Sequence, residues 1–173
     1  HLAAINRVIL AASRPAEIHD VLYSILGIVV DVLGLETGWI YLRDPERDRF
    51  HLATWYGVPD ALQARLLQNA DTPLCRCQQD FVAGQLQSDP SPCACQRLVV
   101  FTANPGASHI SIPLASLDQR FGIINLLTIS DRPVSPDDLE LLRAIGAQIS
   151  EIVANAWLRL KLEEKEKARQ LLL

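Results

Sequence analysis

The sequence predicts an α+β fold, and three observations carry that reading. Apolar residues recur at helical spacing near both ends of the chain. Two strand–turn–strand patterns lie between those ends. A long polar stretch with neither period separates the two patterns. At 173 residues, with 49% apolar and 21% charged side chains, the chain suits one domain with a full core.

The elements follow in order. Leu2, Ile5, Val8 and Ile9 share one helical face, and Ser13 with Pro15 stops and restarts the helix. The spacing of Ile18, Val21, Leu22, Ile25 and Val29 predicts a second helix over 16–33, with Gly34 as its C-terminal cap. Residues 37–43 and 49–56 read as strands around the turn-rich Asp44, Pro45, Glu46, Arg47 and Asp48. In that hairpin Trp39, Tyr41, Trp55 and Tyr56 are expected as sheet-core and cross-strand partners. A short helix over 59–68 follows.

Residues 71–106 are expected to be irregular, a length that points to function rather than simple connection. A second strand pair covers 108–114 and 120–130. Ser135 then reads as an N-cap with Pro136 in the first turn and Asp137 and Asp138 at the positive end of the dipole. Leu139, Leu142, Ile145, Ile149, Ile152, Val153 and Ala156 form the expected buried stripe of that helix. The pattern continues past Ala156, and no Gly or Pro interrupts residues 157–170, so one helix of about 35 residues is predicted, longer than the usual globular range. We divide the chain into a compact unit, 1–160, and the start of a coiled-coil signalling helix, 161–173.

The bulk properties exclude several classes. A net charge of −4 without a basic run argues against a nucleic-acid surface. The apolar run at 21–30 is too short to span a bilayer, and no signal peptide is recognisable. A cytoplasmic domain with no membrane contact of its own is expected. The chain begins at His1 and holds no Met, so a piece of a longer protein is expected.

The chemistry-bearing feature is a set of four cysteines, Cys75, Cys77, Cys93 and Cys95, in two Cys-x-Cys pairs. Thiolates are the soft ligands of zinc and of iron–sulfur clusters, and four of them close a tetrahedral site or anchor a cluster. Without an export signal, metal or redox chemistry is a better reading than two disulfides. Zinc would fasten the loop and stay redox-inert, whereas a cluster could be oxidised or lost. Pro73 and Pro92 precede the pairs and stiffen the backbone, and Arg76 either donates to sulfur or is solvated. His109 is a minor candidate for a haem or metal ligand; His19 and His51 carry no signal.

The order of these elements resembles the GAF domain family. The resemblance is sharpest in Ser111-Ile112-Pro113-Leu114, in Phe121-Gly122-Ile123-Ile124-Asn125-Leu126, and in the helix start Ser135-Pro136-Asp137-Asp138-Leu139. It implies an antiparallel sheet with helices on both faces and a ligand pocket under the variable segment that carries the cysteines. Long flanking helices are similar to those of bacterial sensor histidine kinases, where the second helix runs into the dimerisation helices. Some redox-sensing members hold an iron–sulfur cluster on four Cys, and this context favours iron–sulfur over zinc here. Leu126 follows Asn125 where cyclic-nucleotide-binding members carry Lys. Arg76, Gln78, Ala94 and Gln96 follow the four Cys where bilin-binding members carry His.

The function expected from the sequence is therefore a regulatory domain without catalysis of its own. It would sense oxygen or redox state through Cys75, Cys77, Cys93 and Cys95, pair as a homodimer through its terminal helices, and act on a kinase domain in the same parent chain. Two alternatives stand beside it: a thiol enzyme similar to free methionine-R-sulfoxide reductases, and a small-ligand-binding GAF domain stapled by zinc.

Overall fold

The computed structural model describes residues 2–12, 17–44, 48–68, 75–86, 91–94, 98, 108–117, 119–128 and 134–172. Helices α1 (Leu2–Ala12) and α2 (Ile18–Val32) lead into strands β1 (Gly38–Asp44) and β2 (Arg49–Tyr56). Helices α3 (Asp60–Leu67) and α4 (Arg76–Val82), then strands β3 (Ser91–Ala94), β4 (Ser108–Ala115) and β5 (Arg120–Thr128), follow. The long helix α5 (Pro136–Leu171) closes the chain. The strands form one antiparallel sheet in the order β2-β1-β5-β4-β3.

Alternation along the strands gives the sheet two dissimilar faces. Ile40, Leu42, Ile110, Ile112, Leu114, Ile124 and Leu126 face α1, α2 and the first half of α5, and this side is aliphatic. Trp39, Tyr41, Phe50 and Ile123 belong to the opposite side, with Leu62 and Leu66 from α3, Phe81 from α4, and Leu98. The four aromatics expected in the hairpin divide between the layers. Trp39 and Tyr41 are buried and Trp55 half-buried on the second face, while Tyr56 packs on the first.

Helix ends follow local chemistry. Gly34 takes φ 62 after α2, its N–H reaching Asp31 O at 3.1 Å while Leu35 N–H reaches Val30 O at 2.9 Å; this is the paired bonding of a Schellman stop. At the start of α5, Ser135 Oγ accepts from Asp138 N–H at 3.1 Å and the Asp138 carboxylate accepts from Ser135 N–H at 3.2 Å. The buried stripe of α5 is Leu141, Leu142, Ile145, Ile149 and Val153. Leu139, Ile152 and Ala156 are only half-buried, because the sheet-facing row passes through Leu141. From Leu158 to Leu172 every side chain is exposed, although the helix continues unbroken. No helix among the described residues is long and apolar enough to cross a membrane.

The expectation that 71–106 is irregular needs correction. This stretch contains α4 and β3, so Cys75 and Cys77 stand at a helix start and Cys93 lies within a strand. Periodicity could not reveal a seven-residue helix and a four-residue strand. Pro92 is tolerated in β3 because that strand is an edge of the sheet.

Candidate cysteine centre and its polar neighbours

The first cysteine pair is organised by the start of α4. Cys75 is the N-cap, with φ −66 and ψ 162, and Gln78 three residues on completes a capping box. Gln78 Oε1 accepts from Cys75 N–H at 3.1 Å and lies 3.4 Å from Cys75 Sγ. Ser or Thr usually fills this N-cap position. A cysteine here places its sulfur over the first turn, where Cys77 Sγ lies 2.8 Å away. Cys77 is buried and Cys75 half-buried.

These sulfurs fit one half of a thiolate cage. Two thiolates sharing a tetrahedral ion at about 2.3 Å stand about 3.8 Å apart, so the pair needs to open by about 1 Å. Helix α4 packs against β3, whose register sets Cys93 opposite His109. Cys95 and Pro73 lie outside the described residues. Among the described residues no three His, Cys, Asp or Glu side chains converge. The structure thus brings Cys75 and Cys77 together and places the Cys93 backbone on the strand beside their helix. Arg76 is 79% exposed and pairs with Asp80 at 3.7 Å, in keeping with the solvated reading.

A buried polar row crosses the same face of the sheet. Ser111 Oγ donates to Asn125 Oδ1 at 2.8 Å and lies 3.0 Å from His109 Nδ1. A hydroxyl has one proton to give. Spent on Asn125, it makes His109 Nδ1 the donor to Ser111 and leaves Nε2 as a bare lone pair. His109 packs edge-on to Trp39, ring centroids 5.5 Å apart. Burial lowers its pKa to about 4, so the ring is neutral at neutral pH. His109 Nε2, Asn125 Nδ2, Trp39 Nε1 and Gln78 Nε2 are all buried without a partner among the described residues. Each such atom costs about 1–3 kcal/mol, a burden absent from the aliphatic face. Reading the sequence singled out His109 but missed its Ser111–Asn125 chain and Gln78. The Cys-x-x-Gln spacing, a capping box with Cys in the Ser position, was the available signal for Gln78.

Two contacts tie this face to α5. Arg120 Nη1 donates to Phe81 O at 2.9 Å and reaches Val82 O at 3.5 Å, holding the last carbonyls of α4. Its guanidinium lies over Gly84, which has φ +73; a Cβ there would come within 2.5 Å of Arg120. The other side of Arg120 lines a groove with Ala154, Trp157, Leu158 and Lys161 of α5. Ser150 of α5 accepts from Ala115 N–H at 3.0 Å and donates to Gly146 O at 2.7 Å, pinning the helix to the end of β4. A separate cavity of about 160 Å³ lies between the end of α2 and the start of α5, lined by Leu33, Thr37, Ile110, Leu127, Val134 and Asp138 among others.

Comparison with known proteins agrees with this architecture. Residues 15–154 match the sequence profile of the GAF domain. The sensor histidine kinase YhcY of Bacillus subtilis is 26% identical over 164 residues, covering 90% of this chain and 42% of that protein. The chain therefore spans less than half the length of this curated relative. The GAF domain of a putative sensor histidine kinase from Pseudomonas syringae pv. tomato superposes with a TM-score of 0.64 at 14% identity, covering 95% of this chain and 94% of that one. The GAF domain from Acinetobacter phosphoenolpyruvate-protein phosphotransferase gives 0.66 at 17% identity, covering 91% and 94%. At these identities the likeness to solved structures is one of fold.

Proposed function

The chain belongs to the GAF domain family, and from that premise we propose that it is the sensory domain of a signal-transduction histidine kinase, using Cys75, Cys77, Cys93 and Cys95 as an oxygen- or redox-responsive metal centre. The observation that carries this reading is the meeting of the Cys75 and Cys77 sulfurs at 2.8 Å on the first turn of α4. Kinship to a sensor histidine kinase over 90% of the chain supports the signalling half.

The four thiolates would hold an iron–sulfur cluster, with zinc as the alternative; the former supplies electron transfer and sensitivity to oxygen, the latter a redox-inert clasp. The chain's own residues supply the transmission. Order at the head of α4 passes along seven residues to Phe81 and Val82, whose carbonyls accept from Arg120 of β5. Arg120 in turn lines a groove with Trp157 and Leu158 of α5. A change in α4 thereby biases the packing of the output helix, and the exposed stretch from Leu158 onward carries the change to a kinase domain in the parent chain. In this reading the domain acts in the cytoplasm.

Anaerobic purification without added metal, followed by elemental analysis, tests the reading. Iron in multiples per chain, with sulfur-to-iron absorption that bleaches in air, is expected for wild type. Cys75→Ser with Cys93→Ser should lose both the metal and any oxygen-dependent change in amide exchange of α5. Retention of metal and of that change by the double variant sinks the proposal.

A further inference from the structure

Gln78 is doing two jobs, and only one of them has a visible partner. Its Oε1 is committed to Cys75 N–H at 3.1 Å. That commitment fixes the amide plane, because a flip would set two N–H groups against each other. The residue is 0% exposed, yet its Nε2 has no acceptor among the described residues.

We propose that Gln78 is the positioning residue of the cysteine centre, its Nε2 amide donating to a sulfur there while its Oε1 caps α4. The inference rests on the four-cysteine reading and deepens it. Capping alone needs only an oxygen at this position, and Glu serves as well as Gln in such boxes. A carboxylate, however, would stand where Oε1 now stands, 3.4 Å from Cys75 Sγ, and that sulfur becomes an anion when it takes a metal. Gln keeps the cap oxygen, adds no charge and brings two N–H donors. Arg76, the neighbouring cation, is mostly exposed and paired with Asp80, so it leaves the buried side of the pair to Gln78. Donors of this kind stabilise the thiolate against its protonated form and orient the ligand.

Two opposed variants separate the donor role from the capping role. Gln78→Glu keeps the oxygen and removes the donor; Gln78→Lys keeps a donor and removes the oxygen. Anaerobically purified protein is competed with increasing EDTA, and iron and zinc retained per chain are counted by elemental analysis. The donor role predicts metal binding about 10- to 100-fold weaker in Gln78→Glu, with Gln78→Lys within a few-fold of wild type. Wild-type-like or tighter binding in Gln78→Glu overturns the inference, and so does weak binding confined to Gln78→Lys, the pattern of a cap alone. Should Gln78→Lys fail to fold by circular dichroism, the Gln78→Glu comparison decides by itself. Wild type purified without metal would instead remove the four-cysteine reading beneath it, an outcome distinct from loaded protein that ignores Gln78.

Discussion

The two faces of the sheet were built to different specifications. Facing α2 and α5, the strands present Ile40, Leu42, Ile110, Ile112, Ile124 and Leu126, and the helices answer with Leu22, Ile25, Leu142, Ile145 and Ile149. That layer carries no unpartnered polar atom among the described residues. One residue further along the same strands, the other face presents Trp39, His109, Ser111 and Asn125, with Gln78 above them on α4. The difference teaches a division of labour. Apolar burial of about 1.5–3 kcal/mol per large side chain makes the first face the source of stability. The second face holds buried polar atoms that lower stability, and it is the face on which the proposed function places the cysteine centre.

The largest effect should come from breaking the aliphatic layer. Leu142 is fully buried, and Leu142→Ala should cost about 2–5 kcal/mol, through lost transfer energy and the cavity left behind. Urea denaturation measures it as a lower midpoint with little change in slope. Metal content per folded chain should stay at the wild-type value, since α4, which carries Cys75 and Cys77 at its start, lies on the other side of the sheet. A fall in metal content in the fraction that remains folded would show that the two layers are not separable.

The polar face should reveal itself in acid. His109 is neutral in the folded protein, with its pKa lowered from 6.5 to about 4 by burial. Above pH 6.5 neither the folded nor the unfolded state binds the proton, and this contribution to stability is complete. As pH falls from 6.5 to 4, the unfolded chain takes up a proton that the folded chain refuses. Stability therefore drops across that window, by something on the order of 3 kcal/mol if the whole shift is realised. His109→Phe should flatten that segment of the stability–pH curve. An unchanged slope between wild type and variant would assign the acid sensitivity elsewhere.

How much of this was legible depended on the element. The helix ends were plain because their chemistry is local: Ser135 with Asp138, and Gly34 after α2, announce themselves within a few residues. The aliphatic layer was equally plain, since its members recur at periods of 2 and 3.6. In contrast α4 and β3 are too short to establish a period, and Pro92 disguised an edge strand as loop. The polar row was legible only in part. His109 could be singled out, but Ser111 and Asn125 alternate with apolar residues as solvent-facing side chains would. Their burial depends on α3 and α4 covering that face, which no spacing within β4 or β5 encodes. Gln78 and Arg120 were missed for a related reason, as each acts through backbone groups that sequence does not display. Cys75 and Cys77 meet on the first turn of α4, and their reading as two of four ligands rests on the proposed experiment.

The smallest effect on stability is expected where the helix leaves the domain, and it bears on the proposed division of the chain near residue 160. Leu162 is 61% exposed and touches neither face of the sheet, so Leu162→Ser should change folding stability by no more than about 0.5 kcal/mol. Yet Leu158, Leu162 and the terminal leucines leave an apolar strip on an otherwise charged helix, and an isolated solvated helix gains little from such residues. A partner helix burying that strip, as in a two-stranded coil, accounts for leucine at these positions. Sedimentation of wild type and Leu162→Ser over a range of concentrations should show a weaker dimer in the variant at nearly equal thermal stability. Equal self-association would mean that residues 161–173 do not pair on their own. The exposed strip would then need a longer run of helix, or a different surface of the parent chain, before it could transmit anything from the cysteine face.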